Sequence, residues 1–346
     1  MVNGDVEESG RAVGTLPANA QNPRELVRMP GLRAAPYRVA LWFLRVTGAW
    51  KYPVDATGDY EEMRFRDVLY WLYKAEHHVA HPESGADLPT YFRKHGTLPD
   101  TSGGKLRIER ELSVSAVGDL MDHAYLRRSE ELYRQVSHKV FGADLPMGNL
   151  EAVVCERPAE PPRFNGRTAP QLRIDEPTLD RLAAFGGTGF AFLSAACNHT
   201  LDFGAEGASS TVTALRSRGI AFHGVNESEA DAQCARIINR RGIRIAIVSH
   251  TFGLNGWPLP PDRPWMVNRT RLNRRVDDID FSRVERQIAH AHDEGADFII
   301  AHLHWGMEFE HYPRTDQIDV AHSLAERGID AIFGHHPHVT QPYEFY

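Results

Sequence analysis

A chain of 346 residues, 42% hydrophobic and 25% charged, is long enough for one large domain or two ordinary ones with a sizeable core. Its 28 Gly and 21 Pro are scattered and its three Cys lie far apart, which excludes collagen-like, disulfide-scaffold and disordered classes. A net charge of −7 argues against a nucleic-acid binder, because neutralising phosphates needs surplus Lys and Arg. The acid is uneven: residues 1–110 carry 15 Lys+Arg against 14 Asp+Glu, leaving 24 against 32 for the rest. Twelve of the 18 His also fall from His199 onward. A solvated acidic face is the ordinary reading of such an excess, but acid and imidazole in one segment also point to metal.

The odd Cys count fits a reducing compartment. The first thirty residues, with Asp5, Glu7 and Glu8, show no basic-then-apolar leader. The most apolar early stretch, residues 39–50, contains Arg45 and falls short of the ~20 residues of a spanning helix. A cytoplasmic protein with no membrane span is expected.

In chain order, residues 1–34 are rich in Gly, Pro, Asn and charge and read as a mobile arm. Residues 35–110 read as an N-terminal helical extension and linker. Apolar residues there return at helical spacing, with Leu41, Phe43 and Leu44 followed by Val68, Leu69, Leu72 and Tyr73, which predicts two helices. Pro82, Gly85, Pro89, Gly96, Pro99, Gly103 and Gly104 then read as loop. This front segment holds no catalytic motif, so it is expected to be dispensable for chemistry and to form a cap or a surface for a protein partner. Residues 111–346 form the main domain. Short apolar runs at 112–117, 190–196, 243–249, 297–302 and 331–333 read as strands, and amphipathic stretches at 122–140, 177–185, 205–218, 281–294 and 315–326 as helices. This alternation predicts an α/β domain with largely parallel strands, and on its own allows a single doubly wound sheet.

The strand ends carry the chemistry. Gly118-Asp119-Leu120-Met121 follows the first strand, and Gly148-Asn149-Leu150-Glu151 precedes a later element. The next strands run into Asn198-His199-Thr200-Leu201-Asp202, His304-Trp305-Gly306 and Gly334-His335-His336-Pro337-His338. Ligands of open α/β sheets sit beyond the carboxyl ends of the strands, where all of these side chains can meet. Carboxylate, amide and imidazole donors without thiolates suit divalent Mn, Zn or Fe. A pair of such ions ~3.5–4 Å apart can clamp a phosphoryl oxygen and activate a water, while a free His protonates the leaving oxygen.

These motifs, with Phe203-Gly204, Glu308, Val339 and Gln341, resemble in their order the bacterial capsule-synthesis (CapA, poly-γ-glutamate) family, a branch of the calcineurin-like metallophosphoesterases. The resemblance spans residues 113–342 and implies a four-layer α/β/β/α sandwich with one or two divalent ions at one edge. It implies Asp119, Glu151, Asn198, His304, His336 and His338 as metal ligands, and His199 with Asp202 at the catalytic position. Asn149, Glu308 and His335 are expected to orient the ligands or meet substrate, and His250 to do the same or to sit in the core. Met121 stands where the wider superfamily has His, and Asn149 or Glu151 where it has a bridging Asp. Cys197 stands where the family usually has Asn and reads as a packing change. The family continues past the last His motif, so a short or C-terminally truncated domain is expected.

Three functions follow as expectations: a metal-dependent hydrolase of phosphoesters or phosphoanhydrides, a poly-γ-glutamate or capsule-type synthesis or amide-transfer factor using the same site, and a binding protein with a decayed site. The substrate is expected to be an anionic small molecule or polymer; Arg269, Arg271, Arg274 and Arg275 read by default as a solvated face, and near the crevice could hold it by charge-assisted hydrogen bonds.

Overall fold

The computed structural model describes residues 35–47, 58–59, 62–97, 109–122, 129, 131–156 and 171–346. The arm expected at 1–34 and most of the linker before 109 lie outside the described residues. Among the described residues, three helices precede the first strand: α1 (Ala35–Thr47), α2 (Phe65–Lys74) and α3 (Leu88–His95). The first two match the helical spacing of the sequence, and Leu41 packs against Leu69 and Leu72 between them. The third falls within the stretch read as loop. Its start is set by Asp87, whose carboxylate accepts the Thr90 N–H, and by Pro89 in the first turn, where a missing N–H costs nothing. On the outer face of α1, Val39, Trp42, Phe43 and Val46 are exposed.

The main body runs β1 (Val114–Leu120), α4 (Ser137–Val140), β2 (Leu145–Leu150), β3 (Val153–Val154), β4 (Arg173–Ile174), α5 (Glu176–Ala183), β5 (Ala184–Phe185), β6 (Thr188–Gly189), β7 (Phe192–Ser194), α6 (Gly204–Ser217), β8 (Ala221–His223), β9 (Arg236–Arg240), β10 (Ile243–Thr251), α7 (Ser282–Asp293), β11 (Phe298–His304), α8 (Thr315–Glu326) and β12 (Ala331–His335). The major strands form two four-stranded sheets rather than one, ordered β1-β2-β7-β8 and β12-β11-β10-β9. All pairings in them are parallel except β10 with the edge strand β9. Of the helix expected over 122–140, residues 123–128 and 130 lie outside the described residues, and the rest shows turns and the single turn of α4.

Period-two alternation explains how the sheets are covered. In β10, Ala246 and Val248 join an apolar cluster with Val284, Ile288 and Ala291 of α7 and Val320 and Leu324 of α8. The intervening Ile245 and Ile247 join Leu145, Met147 and Phe192 of the other sheet. Burial of each Val, Leu, Ile, Phe or Met side chain among them is worth about 1.5–3 kcal/mol. The remaining cluster sets Leu150 and Leu193 against Leu179, Val212 and Leu215 of α5 and α6. Gly224, just after β8, has φ +106°, and a Cβ there would lie 2.5 Å from that of Ala196, so only glycine fits against the β7 end.

Candidate metal centre

Every strand that delivers a polar side chain to the centre does so at its carboxyl end. Between β1 and β2 the register shifts at Val117/Asp119, which brings Asp119 opposite Asn149. The Asn149 amide donates to Asp119 Oδ1 at 2.8 Å and approaches His304 Nδ1 at 3.1 Å. His304, the last residue of β11, has its other nitrogen 2.9 Å from Asn198 Oδ1, which assigns the proton to Nε2. Beyond β12 the chain turns through His336 (φ 93°) and His338 (φ 54°), left-handed conformations that cost non-glycine residues about 1–3 kcal/mol each. The turn is held by the His336 N–H donating to Asp119 Oδ2 at 2.9 Å and the Phe309 N–H donating to the Pro337 carbonyl at 2.7 Å.

Glu151 sits in the middle. It is buried, and neither carboxylate oxygen has a hydrogen-bond partner. Its Oε1 lies 3.8 Å from His304 Nε2, 3.7 Å from His338 Nε2 and 3.9 Å from His199 Nε2. His338 Nδ1 in turn lies 3.4 Å from Asp119 Oδ2. Burial, then the neighbouring carboxylates of Asp119, Glu308 and Asp202, push the Glu151 carboxyl well above its usual range. Burial and surrounding imidazoles push His304 and His336 well below theirs. His304 and His336 are thereby held neutral beside a desolvated carboxyl group. Glu151, His304 and His336 can bring ligand atoms within 4.8 Å of one another, as can Asp119, Glu151 and His338. A divalent cation would satisfy the orphaned oxygens of Glu151 and the unpartnered Nδ1 of His336, so the donor set fits such an ion.

His199 and Asp202 form a dyad at the rim. Nδ1 of His199 lies 2.6 Å from Asp202 Oδ2, and the same oxygen accepts the Leu172 N–H at 2.7 Å. Burial raises the Asp202 carboxyl, with His199 opposing that shift. Asn255, which no motif marked, links the neighbours: its Oδ1 accepts from Asn198 at 3.2 Å and its amide nitrogen is 3.4 Å from the His199 ring. It adopts φ 52° ahead of Gly256, and the Asn-Gly pair after β10 was the available signal.

Two sequence candidates point elsewhere. His250 is fully buried with Nδ1 2.9 Å from Thr270 Oγ1 and Nε2 2.8 Å from Gln287 Oε1, so it ties β10 to α7. His335 pairs with His302, Nε2 to Nδ1 at 3.0 Å with stacked rings. Glu308 does reach the centre, 3.8 Å from His338 Nε2. Met121 packs partly buried against the apolar cluster of the first sheet. Cys197 is buried and its thiol is raised by desolvation, as befits a packing residue. Of the basic cluster, Arg271 and Arg274 both pair with Glu62.

The front segment is less separable than its lack of motifs implied. The Trp71 indole donates to Glu308, and Lys74 pairs with Glu310 at 2.8 Å with both side chains buried. The backbone of Val79 bonds with Phe309 and His311, each at 2.9 Å.

Residues 113–346 match the family model described as bacterial capsule synthesis protein PGA_cap. The chain is similar to the capsule biosynthesis protein CapA of Bacillus anthracis, 27% identical over 252 residues covering 70% of this chain and 58% of that protein. It is similar to the PGA biosynthesis protein CapA of Bacillus subtilis, 24% identical over 68% of this chain and 60% of the relative. A probable polyglutamine synthesis accessory protein of Mycobacterium tuberculosis is 30% identical over 43% of this chain and 40% of its own length. The chain thus spans under two thirds of the length of these relatives. No helix among the described residues is long and apolar enough to cross a membrane.

Proposed function

Because the chain belongs to the bacterial capsule synthesis protein PGA_cap family, we propose that it is a metal-dependent hydrolase of a phosphoester or phosphoanhydride. The observation that carries this reading is Glu151, a desolvated carboxyl group with two unpartnered oxygens facing three imidazoles. Asp119, Glu151, Asn198, His304, His336 and His338 would hold one or two ions of Mn, Zn or Fe. When bound, such ions polarise a phosphoryl oxygen and lower the pKa of a water. Asp202 fixes the His199 ring so that Nε2 faces the centre, where it donates a proton to the leaving oxygen. Asn149 holds Asp119 and His304 in place. Two sheets that share one apolar cluster, each backed by its own helices, support a four-layer α/β/β/α arrangement.

The names of the Bacillus relatives favour a second reading, in which the same centre serves poly-γ-glutamate or another amide-linked capsule-type polymer. The His199–Asp202 dyad, still oriented for proton transfer, counts against a decayed binding site. Metal analysis of protein purified without chelator, followed by a panel of phosphoesters, phosphoanhydrides and poly-γ-glutamate, tests these readings. Release of phosphate with Mn, Zn or Fe supports the first, and cleavage or transfer of polymer alone supports the second. An absence of bound metal would refute both.

A further inference from the structure

The family match begins at residue 113, yet the side chain that fixes Glu308 comes from α2. We propose that Trp71 is a positioning residue that aims Glu308 at His336 and His338, completing a second cation position that depends on the N-terminal extension. This inference rests on the metal-centre reading above.

The two oxygens of Glu308 have separate tasks. Oε2 accepts the indole N–H of Trp71, while Oε1 lies 3.8 Å from His338 Nε2. Glu308, His336 and His338 bring one ligand atom each within 4.8 Å of one another. His336 is buried and its Nδ1 has no hydrogen-bond partner, so the ring has a nitrogen to offer a cation. An indole suits the task because it only donates and carries no charge. It can hold a carboxylate without competing with a cation electrostatically, as Lys or Arg would. The cation that is nearby, Lys74, is spent on Glu310.

The loop between Gly306 and His311 is held from the same side. The Val79 N–H donates to the Phe309 carbonyl and the His311 N–H donates to the Val79 carbonyl, forming a parallel bridge with the extension. Phe309 itself has φ 62° between these bonds. Losing the partner that orients a ligand typically weakens metal binding roughly 10–100-fold.

Calorimetric titration of the full chain with Mn²⁺, after chelator treatment and removal, tests the inference. Two equivalents are expected in the unaltered protein. Trp71→Phe, which keeps an aromatic ring and loses the N–H, should weaken one equivalent roughly 10–100-fold and spare the other. Glu308→Gln should weaken the same equivalent, and Trp71→Phe should add nothing in the Glu308→Gln background. Two unaltered equivalents in Trp71→Phe, equal weakening of both, or additive effects in the double variant would overturn the inference. Should Trp71→Phe fail to fold, Glu308→Gln decides, since two unaltered equivalents in it would overturn the second position. One equivalent insensitive to Glu308→Gln removes the second position while leaving the metal centre intact. No bound Mn²⁺, Zn²⁺ or Fe²⁺ in the unaltered chain removes both.

Discussion

Asp202 holds His199 by Nδ1 at 2.6 Å, which turns Nε2 toward Glu151 at 3.9 Å. A ring fixed in this way by a carboxylate has one nitrogen committed and the other available for proton transfer. His199→Ala should lower kcat by roughly 10²–10⁴-fold while leaving metal content nearly unchanged. The deficit should shrink with nitrophenyl esters, whose leaving oxygen needs less protonation. Metal content and kcat for paired substrates check this; loss of metal in His199→Ala would make His199 a ligand instead.

Metal binding should release protons. The Glu151 carboxyl is raised by burial, and His304 carries a proton on Nε2 between Asn198 and Glu151. Glu151 must give up its proton to become a ligand, whereas the neutral His304 ring only moves its proton between its two nitrogens, with no net release. Mn²⁺ binding enthalpy should therefore vary with the ionisation enthalpy of the buffer at pH 6. Glu151→Gln should bind Mn²⁺ more weakly and release fewer protons, whereas equal proton release would show that Glu151 enters the site already ionised.

His250 gives a pH dependence distinct from the metal. Burial lowers it from the usual 6.5 to about 3, against the pull of Gln287. The unfolded chain therefore binds the extra proton first. Stability attributable to His250 is complete above pH 6.5 and is lost as pH falls from 6.5 toward 3, at up to about 1.4 kcal/mol per pH unit. His223, lowered to about 4 by burial, acts in the same direction. Urea unfolding of chelator-treated protein at pH 7, 6 and 5 should show this slope, and His250→Gln should flatten it. An unchanged slope in the variant would place the acid sensitivity elsewhere.

The site was legible where chemistry and position coincide. Asp119, His304, His336 and His338 lie at or just beyond the ends of strands read from the sequence, and Asn198 and His199 in the turn that follows β7; parallel strands send such residues to one edge. The strand Leu145–Leu150 was not read as one, because Pro146 and Gly148 disfavour a central strand that its six buried residues nonetheless form. His250 resembled a site residue because it lies near the end of a strand, but period two sends it toward α7 and Gln287. Trp71 carried no signal at all. Its partner is 237 positions away, a distance only the fold can close.

That long-range contact makes the front segment a stability element as well. Lys74 and Glu310 meet at 2.8 Å with 5% and 2% of their side chains exposed, and Arg314 stands 3.4 Å from the same carboxylate. Burial lowers the Lys74 amine, with Glu310 opposing the shift. Removing one member of a buried pair leaves the other desolvated, at a typical cost of about 3–5 kcal/mol. Arg314 remains to hold Glu310, so Lys74→Met should cost less, about 2 kcal/mol. Because Glu310→Gln also takes the carboxylate from Arg314, the double variant Lys74→Met/Glu310→Gln should cost less than the sum of the two single variants without returning to full stability. Chemical denaturation of the unaltered chain, the two single variants and the double variant measures the coupling. Equal stability of Lys74→Met and the unaltered chain would show that α2 docks without this pair, and would return the front segment to the detachable cap that its missing motifs implied.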